Sequence, residues 1–102
     1  MAARNTDVSL TADTWTQLTA SDVTALRVQN MTRFVVIIQA TVGATPPAGA
    51  TLADQIKGGI RLLPDMGIAT DLTLATMFPG VAGATRVYAT CAYNVDVSVS
   101  HA

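Results

Sequence analysis

The chain has 102 residues, of which half are hydrophobic and 13% charged, and its seven Asp (no Glu), five Arg and single Lys57 leave a formal net charge of -1. A chain of this length makes one domain around one core, and a charge so near zero supplies no field to draw DNA, RNA or an anionic membrane. The lone Cys91 excludes an internal disulfide.

Met1 to Thr6 has no periodicity and reads as a short N-terminal arm. No hydrophobic segment follows Arg4, so it is not a signal peptide, and the protein is expected to be made and kept in the cytoplasm, or to leave by lysis or inside a particle. Val8 and Leu10 alternate with polar neighbours and predict a half-buried strand, closed by a turn at Ala12-Asp13-Thr14. Trp15 to Thr19 reads as a second strand with Trp15 as the largest core anchor. After a turn at Ser21-Asp22, Ala25 to Asn30 is a third strand with Leu26 and Val28 inward, and Asn30 to Arg33 reads as a tight hairpin into the next.

That next strand, Phe34-Val35-Val36-Ile37-Ile38 continuing into Gln39-Ala40-Thr41, is the most apolar run in the chain. Four β-branched residues in succession suit a pleated sheet. Phe34, Val36 and Ile38 line one face and Val35 and Ile37 the other, so both faces have to be covered and the strand belongs mid-sheet.

Every Gly and Pro lies between Gly43 and Gly83. The segment 43–59 is expected to protrude as a loop, stiffened at Pro46-Pro47. Ile60 to Leu63 is a brief strand stopped by Pro64, with a turn at Asp65-Met66-Gly67. Asp71 to Met77 fits either a short helix capped at Thr70-Asp71 or a strand, and Pro79-Gly80 ends it. A turn at Gly83 to Thr85 precedes a strand over Arg86 to Ala92, with Val87, Ala89 and Cys91 on one face. Tyr93-Asn94 turns, Val95 to Ser100 alternates cleanly with the valines inward, and His101 trails off. Seven to eight short strands with turns between them predict an all-β fold, an antiparallel sandwich or small barrel, with at most one short helix.

No residue set announces chemistry. His101 is the only imidazole and no cysteine pair exists, so zinc has no familiar ligand set. Asp13, Asp22, Asp65 and Asp71 sit where turns or caps want them. Cys91 falls mid-strand on an apolar face, where cysteine acts as a small hydrophobe. Gly58-Gly59 lacks the Lys-Ser or Lys-Thr of a phosphate loop. The expectation is a non-enzyme without cofactor or metal. Mean hydropathy of +0.40 with so few charges points to apolar surface hidden against other molecules.

Asp7-Val8-Ser9-Leu10, then Thr14-Trp15-Thr16-Gln17-Leu18-Thr19 and Leu26-Arg27-Val28-Gln29-Asn30, with the closing Val95-Asp96-Val97-Ser98-Val99-Ser100-His101-Ala102, resemble small β-sandwich virion proteins of tailed bacteriophages. The resemblance covers both ends of the chain and not the segment between Gly43 and Gly83. It implies a capsid decoration or cement protein on the virion surface, whose partners are the major capsid protein and copies of itself. The alternatives it leaves are a receptor- or glycan-binding module and a tail or connector component. On this reading the contact residues are Arg4 and Asn5 of the arm, which orders along a partner, and Pro46 and Pro47, which are already rigid.

Overall fold

The computed structural model describes residues 4–47, 59–65, 67–68 and 73–101. Among these residues eight strands form two four-stranded sheets: β1 (Arg4–Leu10), β2 (Thr16–Gln17), β3 (Arg27–Asn30), β4 (Val36–Thr41), β5 (Ile60–Leu62), β6 (Gly67–Ile68), β7 (Arg86–Thr90) and β8 (Val95–His101). One helical turn, α1 (Leu74–Met77), lies between β6 and β7. The first sheet runs β1-β8-β3-β6 and the second β2-β7-β4-β5, with every neighbouring pair antiparallel. That order is the jelly roll, in which successive strands fold across two stacked sheets. The all-β expectation with at most one short helix holds.

The register follows the alternation in the sequence. Val97 and Val99 of β8 are 0% and 1% exposed, and Val28 of β3, opposite Val99, is 2%. From the other sheet, Val36 and Ile38 of β4, Leu62 of β5 and Val87 and Ala89 of β7 meet them at 0%. β4 lies between β7 and β5, as its apolar run demands, and Ile37 is buried on the face away from the core cluster. Tyr88 and Thr90 of β7 are buried on that same outer face. Each fully buried aliphatic side chain contributes about 1.5–3 kcal/mol. That outweighs the exposed Asp22–Arg86 ion pair, which solvent screens. The core holds the sheets together.

Several sequence expectations give way. Arg4, Asn5 and Thr6, read as an arm, are the first residues of β1 and pair with His101, Ser100 and Val99. The remainder of the arm lies outside the described residues. Trp15 is half-buried and takes no part in the core cluster. Burying Leu18, at 0%, fixes the parity of that stretch and sends Trp15 to the opposite face. β6 forms where a turn through Gly67 was expected. α1 takes the helical branch of its segment, yet begins later, with Thr73 as N-cap accepting from the Thr76 N–H; Asp71 lies outside the described residues. His101 ends β8, 8% exposed, and its Nε2 accepts the Ala20 N–H at 2.9 Å.

The clearest departure is between Asn30 and Val36. No hairpin joins β3 to β4, since the two strands belong to different sheets. Asn30 makes the crossing. Its side chain is 0% exposed and lies on the inward parity of Leu26 and Val28. Nδ2 donates to the carbonyls of Phe34, Leu62 (3.0 Å) and Leu63 (3.2 Å), two hydrogens being shared among three acceptors. Oδ1 accepts from the N–H (3.0 Å) and hydroxyl (2.7 Å) of Thr32. One amide thus ties the end of a first-sheet strand to the edge of the second sheet.

Asn30→Ala removes these bonds and leaves the buried Leu62 carbonyl unpaired, which costs about 1–3 kcal/mol. Urea denaturation is expected to show a loss of about 3 kcal/mol with the m-value unchanged. Asn30→Asp, which presents a carboxylate to three carbonyls, is expected to lose more.

Candidate functional site

The register sorts the loops into two ends. At one end lie Asn30–Arg33, Leu63–Asp65, Thr11–Thr14 and Cys91–Asn94, because Asn30 faces Val97, Leu62 faces Val36, Thr90 faces Ile37 and Leu10 faces Val95. At the other lie Arg4, His101, Ala20–Asp22 and the loop after Thr41.

Among the described residues, three of the four large apolar residues that are strongly exposed sit at the first end: Met31 at 62%, Leu63 at 52% and Tyr93 at 53%. Each is placed by a buried neighbour. Asn30 turns inward, so Met31 turns out. Leu62 fills the core at 0%, and alternation sends Leu63 outward before Pro64 stops the strand. Asp65 follows in the left-handed region at φ 61. Cys91 is buried at 5%, and two residues on the Tyr93 ring stacks on Phe34, centroids 4.0 Å apart and planes at 24°. One face of the Tyr93 ring is therefore occupied by Phe34, whose own carbonyl is held by Asn30.

The turns beneath this end are fastened. Asn94 Oδ1 accepts the Ala12 N–H at 2.8 Å, and the Asp13 N–H, from a residue at φ 57, donates to the Cys91 carbonyl at 2.8 Å. Ser9 donates its hydroxyl to Asp96 at 2.8 Å. Arg33 and Asp65 are exposed on two of the loops, so the apolar side chains are accompanied by charges of both signs. A mixed surface of Met, Leu and Tyr with a polar rim has the composition of a protein-binding surface.

The residues marked from sequence as contacts lie at the opposite end. Arg4 and Asn5 open β1, and Arg4 Nη1 donates to the Leu18 carbonyl at 2.9 Å, bracing the first sheet against the second. Pro46 is exposed and Pro47 half-buried in the loop after β4, near Val42 at 60% exposure; the remainder of that loop up to Lys57 and Gly58 lies outside the described residues. The Gly43 N–H donates to Thr85 Oγ1 at 3.1 Å. Asp22 pairs with Arg86 Nε at 2.7 Å, and that hydrogen bond holds its carboxyl below the usual carboxylate range.

Asn30, Phe34, Leu63 and Tyr93 escaped sequence reading as a group. Inward parity after Leu26 and Val28 was the available signal for Asn30. Nothing local announces that Phe34 and Tyr93, fifty-nine positions apart, share a stack. Among the described residues no three His, Cys, Asp or Glu side chains gather to hold a metal ion, and no helix is long and apolar enough to cross a membrane. No family model matches the chain, and neither the curated proteins nor the solved structures include a match.

A depressed Asp22 pKa means the pair stabilises the fold at neutral pH, and that contribution disappears as pH falls through the lowered value. Asp22→Asn is expected to lower Tm slightly at pH 7 and to converge on the parent as pH falls through the lowered Asp22 value, where the carboxyl becomes neutral. Thermal melts across that range check it.

Proposed function

We propose that the chain is a structural virion protein, a capsid decoration or cement protein of tailed-phage type, that works by burying its Tyr93 end against neighbouring shell subunits. The observation that carries this reading is the gathering of Met31, Leu63 and Tyr93 at one end of a rigid sandwich. Low charge density, 13%, agrees with a surface meant for partners. The jelly roll recurs in viral capsid and lectin domains, which is support by analogy alone. The reading involves no catalysis, cofactor or nucleic acid. Binding is additive over many copies, so each contact can be weak while the shell gains much.

Tyr93 favours a second reading. An aromatic ring backed by Phe34 and open on its other side is a platform for a sugar, as a receptor- or glycan-binding module on the virion would need. That reading expects saturable binding to host-surface polysaccharide, abolished by Tyr93→Ala.

Immunogold labelling of particles from the phage that encodes the chain is the deciding experiment, with label expected over the head. The double substitution Met31→Ser and Leu63→Ser, at two exposed positions, is expected to reduce occupancy about tenfold while leaving the fold intact. Label confined to tails would favour a connector component instead. Particles without label would sink the virion reading.

A further inference from the structure

The four edges of the two sheets are unequal. β2 and β6 offer two residues each, and β5 three before Pro64. β1 offers seven, in unbroken register with β8. Sheets guard their edges with short strands, prolines, lysines, bulges or inward-pointing charges. The three short edges use the first device. β1 has no proline or lysine, and its pairing with β8 skips no residue. Its one cation, Arg4, is drawn to the Leu18 carbonyl. Among the described residues no strand pairs with the outer side of β1, a long row of backbone donors and acceptors suited to a further strand.

We propose that β1 pairs antiparallel with β1 of a second copy about a two-fold axis at Thr6, joining two four-stranded sheets into one continuous sheet. The side chains select both the partner and the register. Residues that meet across such a pair point to the same face, so the axis must pass through a residue. An axis at Asp7 sets two carboxylates face to face, which is destabilising. One at Val8 sets Asp7 against Ser9, whose hydroxyl is already given to Asp96. One at Asn5 sets Arg4 against Thr6 and the two carboxamides against each other, so that the Asp7 carboxylate loses Asn5 as its partner. At Thr6, threonine meets threonine, a favourable cross-strand pair, and Asn5 meets Asp7 on both sides of the axis. Both side chains are exposed and make no hydrogen bond or ion pair among the described residues. The carboxamide donates and the carboxylate accepts, a charge-assisted bond made twice. An isologous contact of this kind closes on itself as a dimer. It stands whether or not the partner at the Tyr93 end is a capsid.

The test uses the full chain. Sedimentation velocity is expected to show a monomer–dimer equilibrium. Asn5→Asp, which sets a carboxylate opposite each Asp7 carboxylate, is expected to weaken dimerisation about tenfold or more, and Asn5→Lys to strengthen it. Circular dichroism checks that both variants stay folded. In a Cys91→Ala background, Thr6→Cys is expected to form a covalent dimer on mild oxidation, because position 6 meets itself. Ser9→Cys is expected to form no covalent dimer under the same oxidation. A chain that stays monomeric at every concentration overturns the proposal, as does an Asn5→Asp variant that dimerises like the parent. Cross-linking of Ser9→Cys as fast as Thr6→Cys overturns the register.

Discussion

The Asn30 carboxamide is the contact on which the arrangement of this sandwich turns. An amide at 0% exposure costs several kcal/mol to strip of water unless its hydrogen bonds are replaced. Here they all are, and the replacements belong to different elements: Thr32 and Phe34 on the crossing, Leu62 and Leu63 at the end of β5. The sheets would still attract each other through their valines and leucines, because apolar burial is non-directional. What the amide adds is direction. It fixes where the chain leaves one sheet and how it enters the other, and a fully satisfied buried network specifies one geometry.

That geometry reaches the surface in one step. Phe34 is held through its carbonyl and offers its ring to Tyr93; Leu63 is held through its carbonyl and presents its side chain to solvent. Met31 follows Asn30 directly. The exposed apolar residues at this end therefore stand on backbone pinned by a buried group, while the other end relies on Arg4, His101 and Asp22 bonded to loops. An apolar side chain on a rigid base loses less entropy on binding than one on a loose loop.

Much of the fold was legible because period-two alternation is local. Val95 to His101 and Arg27 to Asn30 declare which side chains go inward, and the double-sided apolar run of β4 declares a central strand. The connection from β3 to β4 was not legible, because a short link such as Asn30-Met31-Thr32-Arg33 fits a hairpin as well as a crossing between sheets. Asn30 decides it through bonds to Leu62 and Leu63, more than thirty positions on. The ambiguity at Leu74 has the same root. Its N–H donates to the Thr24 carbonyl at 2.8 Å, a distant partner that a window of neighbours cannot contain. The apolar surface of the Tyr93 end was hidden for the same reason, because Met31, Leu63 and Tyr93 come from three loops that no sequence pattern links.

The long edge of β1 and the apolar end lie on different parts of the molecule, and their combination has a geometric consequence. β1 runs from the Arg4 end to the Tyr93 end. Antiparallel pairing of two β1 strands therefore sets the Tyr93 end of one copy beside the Arg4 end of the other. The two apolar ends then point in opposite directions, about one sandwich length apart. A single copy with one apolar end decorates; a pair with two opposed ends spans. For a chain proposed to clamp neighbouring subunits, the second arrangement converts two weak contacts into one joint attachment, since the second contact forms at the effective concentration set by the first. The rigidity that Asn30 gives each end keeps that concentration high, because a stiff spacer holds its second site within reach only of a target at the matching distance.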